Sequence, residues 1–344
     1  MTGQNRPDKS WPASGEVMGA WLQTVGGPMP VPDRGLLLPH EHLFLDLRGP
    51  DAPGYGEADP EAVLAMMRPH LQDLKNQGVV GLVECSTVGV GRNVRLLSHL
   101  AEATGLAIVA PTGVYSESSA PRFLLAMSEG ELEERLTGEI ETSIDGTAVH
   151  AGFIKLASSP LGLTEFERRV LRAAARVARV TGVTIASHTI TGATALEQID
   201  ILEAEGLSAD RFVWIHAHME PDHALHREAA RRGAYVEFDN IGAHRAGAAN
   251  PFPAFALADE TAVALVTRMV DGGFADRLLL SQDAGWYDAG RAGGGSPRGF
   301  TYLLDEFVPQ LTDAGLGDAV GLIVERNPWR AFARCRPAEP RMGS

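Results

Sequence analysis

The chain has 344 residues, of which 44% are hydrophobic, so it can bury a large core as two ordinary domains or as one barrel. Its formal net charge is −14, and such a surface repels phosphate backbones, which argues against a nucleic-acid partner. There is no apolar run of about 18 residues, and the first residues are polar, so we predict neither a membrane span nor a secretory signal.

The two cysteines differ in their surroundings. Cys85 follows the apolar run Val79–Glu84, so we expect a buried free thiol, whereas Cys335 lies in a polar tail. A disulfide framework is not indicated, which is typical of a reducing compartment. We therefore expect a cytoplasmic protein.

Eight short runs of aliphatic and β-branched residues predict strands. Each run is apolar enough to be buried on both faces, as parallel strands are. In chain order the runs cover residues 36–40, 79–85, 107–112, 152–156, 183–188, 212–216, 234–239 and 278–283.

Helical patterns fill the intervals between these strands. The clearest covers residues 164–180, where Thr164 and Glu167 predict a capping box and Gly182 follows the last turn. Two further patterns, each ending before a glycine, cover residues 193–205 and 222–232.

Strand and helix alternating eight times predict a (β/α)8 barrel, the TIM-barrel fold, with an open doubly wound sheet as the alternative. We place a single barrel domain at residues 22–333. Residues 1–21 then form an N-terminal extension, and residues 334–344 form a C-terminal tail.

Residues that suit a metal ion stand at or near the ends of several predicted strands. His40 ends the first strand, and His42 points the same way because side chains alternate along a strand. In a barrel the carboxyl ends of all strands face one mouth, where active sites lie. The further candidates at this mouth are Lys155 in the fourth strand, His188 ending the fifth, His216 ending the sixth and Asp283 ending the eighth.

Imidazole and carboxylate groups suit Zn, Mn, Co or Fe better than Mg or Ca. Six converging groups exceed the needs of one tetrahedral ion and suit two divalent ions about 3.5–4 Å apart. A lysine between two cations must be deprotonated or modified, and carbon dioxide would convert Lys155 into an anionic carbamate. The alternative for Lys155 is an ion pair with Glu84, because an unpaired buried ammonium is costly.

In this order and on these strand ends, the motifs resemble those of the phosphotriesterase family of the amidohydrolase superfamily. The resemblance spans roughly residues 22–333. The matching segments are His40-Glu41-His42, Gly-Phe-Ile-Lys at 152–155, Ser-His-Thr at 187–189, Arg-Phe-Val-Trp-Ile-His at 211–216 and Ser-Gln-Asp at 281–283.

The resemblance implies a two-metal centre in which carboxylated Lys155 and a hydroxide bridge the ions. It assigns His40, His42 and Asp283 to the more buried ion, and His188 and His216 to the more exposed one. The hydroxide then attacks a phosphoryl or carbonyl group, and Asp283 takes the proton as a catalytic base. Zinc is the favoured metal, and the family is commonly dimeric.

The chain departs from the phosphotriesterases proper at two places near this centre, and one is the altered run of acidic residues after the strand-six histidine, which here reads Ala-His-Met-Glu-Pro-Asp at 217–222. Those enzymes carry a proton-shuttling histidine after strand seven, where this chain has Asn240, and an amide cannot take up a proton near neutral pH. His218 competes with His216 as the sixth-strand ligand; we favour His216, which leaves His218 beside the pocket. His218 and His244 are the candidates for a replacement proton carrier.

A loop rich in glycine and polar residues, 284–298, follows the last strand, where a barrel places a substrate loop. Its composition favours a polar lactone, such as a sugar lactone, over an acyl-homoserine lactone. The predicted function is lactone hydrolysis; the alternatives are phosphotriester hydrolysis, amide hydrolysis and ligand binding without catalysis. The candidate substrate-binding residues are Tyr115, His218, Asn240, Trp286, Arg291 and Arg298.

Overall fold

A computed structural model describes residues 20–245 and 252–334, so Cys335 and nearly all of the predicted extension and tail lie outside the described residues. The described chain opens with an antiparallel hairpin of β1 (Trp21–Thr24) and β2 (Gly27–Pro30). Trp21 and Arg334 exchange backbone hydrogen bonds of 2.9 and 2.8 Å, so the two ends of the described chain lie side by side.

The remaining strands all pair in parallel, in the order β12-β3-β4-β5 and β6-β7-β8-β9-β10-β11. Two sets of contacts make these a closed barrel. Ala110, which joins β5 to β6 along the chain, accepts a backbone hydrogen bond from Gly152, just before β7. At the other seam the amide of Asp283, which follows β11, donates to the carbonyl oxygen of His40 in β3. The strands are β3 (Leu36–Leu45), β4 (Val79–Glu84), β5 (Ala107–Val109), β6 (Pro111–Thr112), β7 (Phe153–Ala157), β8 (Ile185–His188), β9 (Phe212–Ile215), β10 (Tyr235–Phe238), β11 (Leu278–Leu280) and β12 (Gly285–Asp288).

Helices surround this barrel, as predicted. The capping box of Thr164 and Glu167 is formed, and Gly182 ends the same helix in the left-handed region. Within the described residues no helix has the length and apolar character needed to cross a bilayer. The helices are α1 (Pro60–Asn76), α2 (Val94–Thr104), α3 (Arg122–Leu125), α4 (Glu129–Glu141), α5 (Glu165–Thr181), α6 (Gly192–Ala204), α7 (His223–Arg232), α8 (Asp259–Asp271), α9 (Val308–Leu311), α10 (Gly317–Val320) and α11 (Asn327–Phe332), the last three separated by π-helical turns.

An apolar plug fills the barrel beneath its mouth. Leu37, Val83, Val109, Phe153 and Val213 are buried there in one cluster, each from a different strand. Inward side chains of alternate strands pack in layers in such barrels, so the interior is a core rather than a channel. Cys85 belongs to the same cluster and is a free, buried thiol, as predicted.

The first barrel strand is longer than predicted. Its expected end was residue 40, whereas β3 continues to Leu45. The reason is β12, which pairs in parallel with the second half of β3 and places Gly285 opposite His42. His40 and His42 therefore lie within a strand whose backbone is hydrogen-bonded on that side, rather than at a free strand end.

The same pairing corrects the prediction of an irregular loop at 284–298. Residues Gly285–Asp288 form a strand, and Gly285 exchanges backbone hydrogen bonds of 3.0 and 2.8 Å with Arg298. The prediction of a loop was wrong because the glycines and polar residues around β12 are typical of loops. The strand that pairs with β12 is β3, which lies far away in sequence. Backbone hydrogen bonds to β3 and between Gly285 and Arg298 thus hold both ends of the segment after Asp283.

Gly285 is the tightest point of this arrangement, and replacing it with alanine should destabilise the protein. Its φ is +90°, and a Cβ would overlap the His42 carbonyl oxygen. We expect Gly285→Ala to lower the free energy of unfolding by about 3 kcal/mol or more. Gly49→Ala is the control, because Gly49 has φ +92° and open space around it. Equal losses in urea unfolding of the two variants would contradict the role of the overlap.

Candidate metal centre

Four histidine rings form a continuous group at the mouth of the barrel. The ring centre of His40 lies 5.3 Å from those of both His42 and His216, and the His188 ring lies 4.4 Å from His216. Asp283 joins this group through Oδ1, which is 3.1 Å from His42 Nε2 and 3.7 Å from His40 Nε2. Side chains from β3 and β8, and from residues that follow β9 and β11, thus come together at the mouth as the sequence predicts.

Ligand atoms that could share one ion occur in two overlapping groups. His40, His42 and Asp283 offer atoms within 4.8 Å of one another, and so do His40, His216 and Asp239. The first group is the set expected for the buried ion. Asp239 is new, because the sequence motifs did not include it among the ligands.

Each of the four imidazoles is held through the same nitrogen, Nδ1. Its partner is a carboxylate for two of them and a hydroxyl for the other two. This arrangement leaves Nε2 of each ring as the ligand atom, and it is typical of metal-binding histidines, whose orientation depends on such partners. The pairs are His40 with Glu237 at 2.8 Å, His42 with Ser86 at 2.8 Å, His188 with Tyr115 at 2.9 Å and His216 with Asp239 at 2.6 Å.

The buried atoms at this mouth that have no hydrogen-bond partner among the described residues include Lys155 Nζ and Asp283 Oδ1. Unpartnered polar atoms are costly in a protein interior, and Lys155 is only 1% exposed. The alternative ion pair with Glu84 is not formed, since that carboxylate accepts hydrogen bonds from the amides of Leu43 and Ser86. A cation beside Asp283 and a covalent modification of Lys155 would satisfy both atoms, so the residues fit a metal centre.

Burial and charge place Asp283 and His188 in the protonation states that metal ligands need. Burial raises the pKa of Asp283, but the nearby imidazoles of His40 and His42 outweigh it, and the pKa lies far below that of an ordinary aspartate. Burial lowers the pKa of His188 well below its usual value, and the charges of His216 and Lys155 act in the same direction. At neutral pH this gives a carboxylate and a neutral imidazole, which are the forms that bind metal.

Aromatic side chains border the ligand group on its outer side. The Trp286 ring lies 5.7 Å from the ring of His42, and Phe255 lies 5.8 and 5.3 Å from His188 and His216. Phe252 completes this aromatic wall at 5.1 Å from Trp286. The sequence predicted Trp286 but missed both phenylalanines, which lie in a segment with no recognisable motif.

The other predicted substrate-binding residues and the candidate proton carrier His244 make hydrogen bonds or ion pairs with other residues of the protein. The buried His218 ring binds the Phe255 carbonyl oxygen at 3.1 Å, and His244 binds that of Leu257 at the same distance. Arg298 donates to the backbone oxygens of Ile241, Gln282 and Asp283. Arg291 is 57% exposed and pairs with Asp288. Asn240 lies between the carboxylates of Asp239 and Asp283.

Comparison with known proteins agrees with this geometry. The model of the phosphotriesterase family matches residues 20–332. The chain belongs to the phosphotriesterase family. This membership confirms the resemblance seen in the motifs, and the family is one of metal-dependent hydrolases that act on ester bonds.

Relatives within the phosphotriesterase family carry different activities. A phosphotriesterase homology protein from Escherichia coli (strain K12) is 32% identical over 87% of this chain and 98% of its own length. An N-acetyltaurine hydrolase from Rattus norvegicus is 28% identical over 90% of this chain and 98% of its own. A crystal structure of a mutant phosphotriesterase-like lactonase from Deinococcus radiodurans is 33% identical and superposes with a TM-score of 0.79, covering 90% of this chain and 99% of that one.

Proposed function

We propose that this protein is a two-metal hydrolase that opens lactone rings bearing an apolar substituent. The observation that carries the proposal is the group of four histidines, each held through Nδ1, that surrounds Asp283 at the mouth of the barrel. Membership of the phosphotriesterase family supports the reaction class. The aromatic wall supports the choice of substrate.

In this proposal His40, His42 and Asp283 hold one ion, and His188 and His216 hold a second. Lys155, as a carbamate, would supply an anionic ligand to both. Ions bound there act as Lewis acids on a carbonyl or phosphoryl oxygen and make water nucleophilic at neutral pH. Zinc is the metal we favour, and Mn, Co and Fe accept the same mixture of ligands.

The protein side chains contribute orientation, charge and the removal of water. Asp283 carries the carboxylate to which this proposal assigns the proton that an attacking water gives up. Glu237 and Asp239 fix the imidazole rings of His40 and His216 and favour the tautomer that leaves Nε2 free. The aromatic wall excludes water from the outer side of this group.

The aromatic wall also revises the expected substrate. Loop composition favoured a sugar lactone, but Trp286, Phe252 and Phe255 offer apolar surface beside the ligands, which suits the acyl chain of an acyl-homoserine lactone. A lactone is also undemanding at the leaving group, because the alkoxide it releases stays within the product. Amide nitrogen must instead be protonated to leave, and Asn240 stands where the phosphotriesterases have a proton carrier.

The test is a ranking of substrates with the protein loaded in turn with zinc, manganese and cobalt. The panel contains acyl-homoserine lactones of increasing chain length, a sugar lactone, an aryl phosphotriester and N-acetyltaurine. We expect the highest kcat/KM for the acylated lactones, increasing with chain length. Faster turnover of the triester or of N-acetyltaurine than of every lactone would overturn the proposal. N-acetyltaurine represents the second candidate, amide hydrolysis, which the similarity to N-acetyltaurine hydrolase supports.

Trp286 should discriminate between lactones by their substituent. We expect Trp286→Ala to lower kcat/KM for a long-chain acyl lactone about 10-fold or more, because the lost indole surface no longer covers the chain. An unsubstituted lactone should be affected little. Phe123→Ala, at a phenylalanine that is 53% exposed, is the control. Equal losses for both lactones in steady-state kinetics would contradict a role in recognising the chain.

Two expectations about the protein in the cell stay predictions. The resemblance implies a homodimer, which sedimentation of the purified protein would measure. The cysteine usage implies the cytoplasm, which fractionation of cells would test. Neither affects the chemistry proposed for the metal centre.

A further inference from the structure

Asn240 occupies an unusual position between two buried carboxylates. It follows β10 with φ of +60°, a left-handed conformation that asparagine tolerates better than most residues. Its side chain is 5% exposed. The amide nitrogen Nδ2 lies 2.9 Å from Asp239 Oδ1 and 3.0 Å from Asp283 Oδ2, so each of its two hydrogens has a carboxylate acceptor.

The chemistry of these contacts fixes the orientation of the amide. Both neighbours of Nδ2 are carboxylate oxygens, at 2.9 and 3.0 Å, and an ionised carboxylate only accepts hydrogen bonds. Turning the amide over would place its carbonyl oxygen against two anions. Nitrogen between the carboxylates is therefore the only satisfied arrangement.

The bonds of Asn240 join the two halves of the proposed metal centre. Asp239 Oδ1 also accepts from His216 Nδ1 at 2.6 Å, and its Oδ2 accepts from the His216 amide at 2.8 Å. Asp283 uses Oδ2 for Asn240 and turns Oδ1 toward His40 and His42. A continuous path thus runs from His216 through Asp239 and Asn240 to Asp283.

We propose that Asn240 is a positioning residue that gives the two carboxylate oxygens of Asp283 different roles. Its amide holds Oδ2, which leaves Oδ1 to face the imidazoles as a ligand, and it separates two carboxylates that would otherwise repel each other. Unlike a histidine, the amide exchanges no proton, so it orients Asp283 without relaying its proton outward. This inference rests on the proposed metal centre.

Two substitutions test the proposal without disturbing the backbone. Asn240→Gly removes the side chain and still accepts a φ of +60°. Asn240→Asp keeps the shape and replaces the two donated hydrogens with an oxygen. We compare both with the wild type by cobalt uptake in competition with a chelator, by the visible spectrum of the cobalt-loaded protein and by steady-state kinetics on a lactone.

We expect both variants to hold cobalt about 10- to 100-fold more weakly and to have an altered cobalt spectrum. The kcat should fall while KM changes little, since Asn240 does not contact substrate in this proposal. A glycine variant with wild-type cobalt affinity, spectrum and kcat would overturn the proposal. If the wild type bound cobalt but opened no lactone, the proposed function would be wrong. The cobalt affinities and spectra of the variants would then still decide the role of Asn240. A wild-type protein that takes up no metal would overturn both.

Discussion

Replacing Lys155 with methionine is expected to abolish ester hydrolysis and metal uptake while leaving the barrel folded. The ammonium of Lys155 has no hydrogen-bond partner among the described residues, so an apolar side chain of similar length should pack there without loss. The free energy of unfolding of the metal-free protein should stay equal or rise by about 1 kcal/mol. The substitution also removes the carbamate bridge that we propose, so we expect kcat/KM to fall about 10³-fold or more.

Lys75→Met is the matched control for this experiment. Lys75 lies in the last turn of α1, and its ammonium bonds to the Thr104 carbonyl oxygen on the outside of the barrel. Elemental analysis, urea unfolding and kinetics on both variants separate a local effect from a general one. A Lys155→Met protein with two bound ions and full activity would contradict the proposed bridging role of Lys155.

Asp283→Asn is expected to produce the second large effect. Its Oδ1 atom would remain near His42 and His40, but a neutral amide is a weaker ligand and cannot accept the proton. We expect kcat to fall about 10²- to 10⁴-fold, which is the range for loss of a general base. Metal retention should fall as well, because the charge that attracts the buried ion is removed.

Asp288→Asn tests whether charge alone explains such a loss. Asp288 lies five residues further on in β12 and pairs with Arg291 at the surface, so its substitution removes one negative charge outside the ligand group. We expect its kcat and metal content to match the wild type. Comparable losses of kcat and metal content in the two variants would mean that Asp283 contributes only its negative charge to the electrostatic field at the barrel mouth.

The convergence of the candidate ligands was predictable from the sequence because the barrel topology brings their strand ends together. Once strands and helices alternate eight times, every strand end reaches the same mouth, so His188 and His216 meet without any knowledge of side-chain conformation. Period-two alternation placed His40 and His42 on one side in the same way. These inferences use only the backbone, which short apolar runs specify well.

The partners of those ligands were not predictable on the same grounds. Whether Glu237 or Glu84 reaches an imidazole depends on rotamers and on the tilt of adjacent strands, and both residues look alike as acids in apolar strands. Phe252 and Phe255 approach the mouth from a segment between β10 and α8 with no hydrophobic period. The strand β12 escaped notice because its pairing partner is more than two hundred residues away.

That strand also limits how the protein could acquire new substrates. Trp286 and His42 sit on neighbouring backbones joined by the β3–β12 ladder, with Gly285 locked against the His42 carbonyl. A substitution that shifts Trp286 to admit another molecule therefore also shifts a metal ligand. We expect selection for new substrates to succeed first at Phe252 and Phe255, since residues 252–255 form a short helical turn and not a strand, and to incur a loss of metal retention whenever it changes β12. Substrate selectivity should therefore change without loss of metal at Phe252 and Phe255, whereas at Trp286 in β12 the two properties should change together.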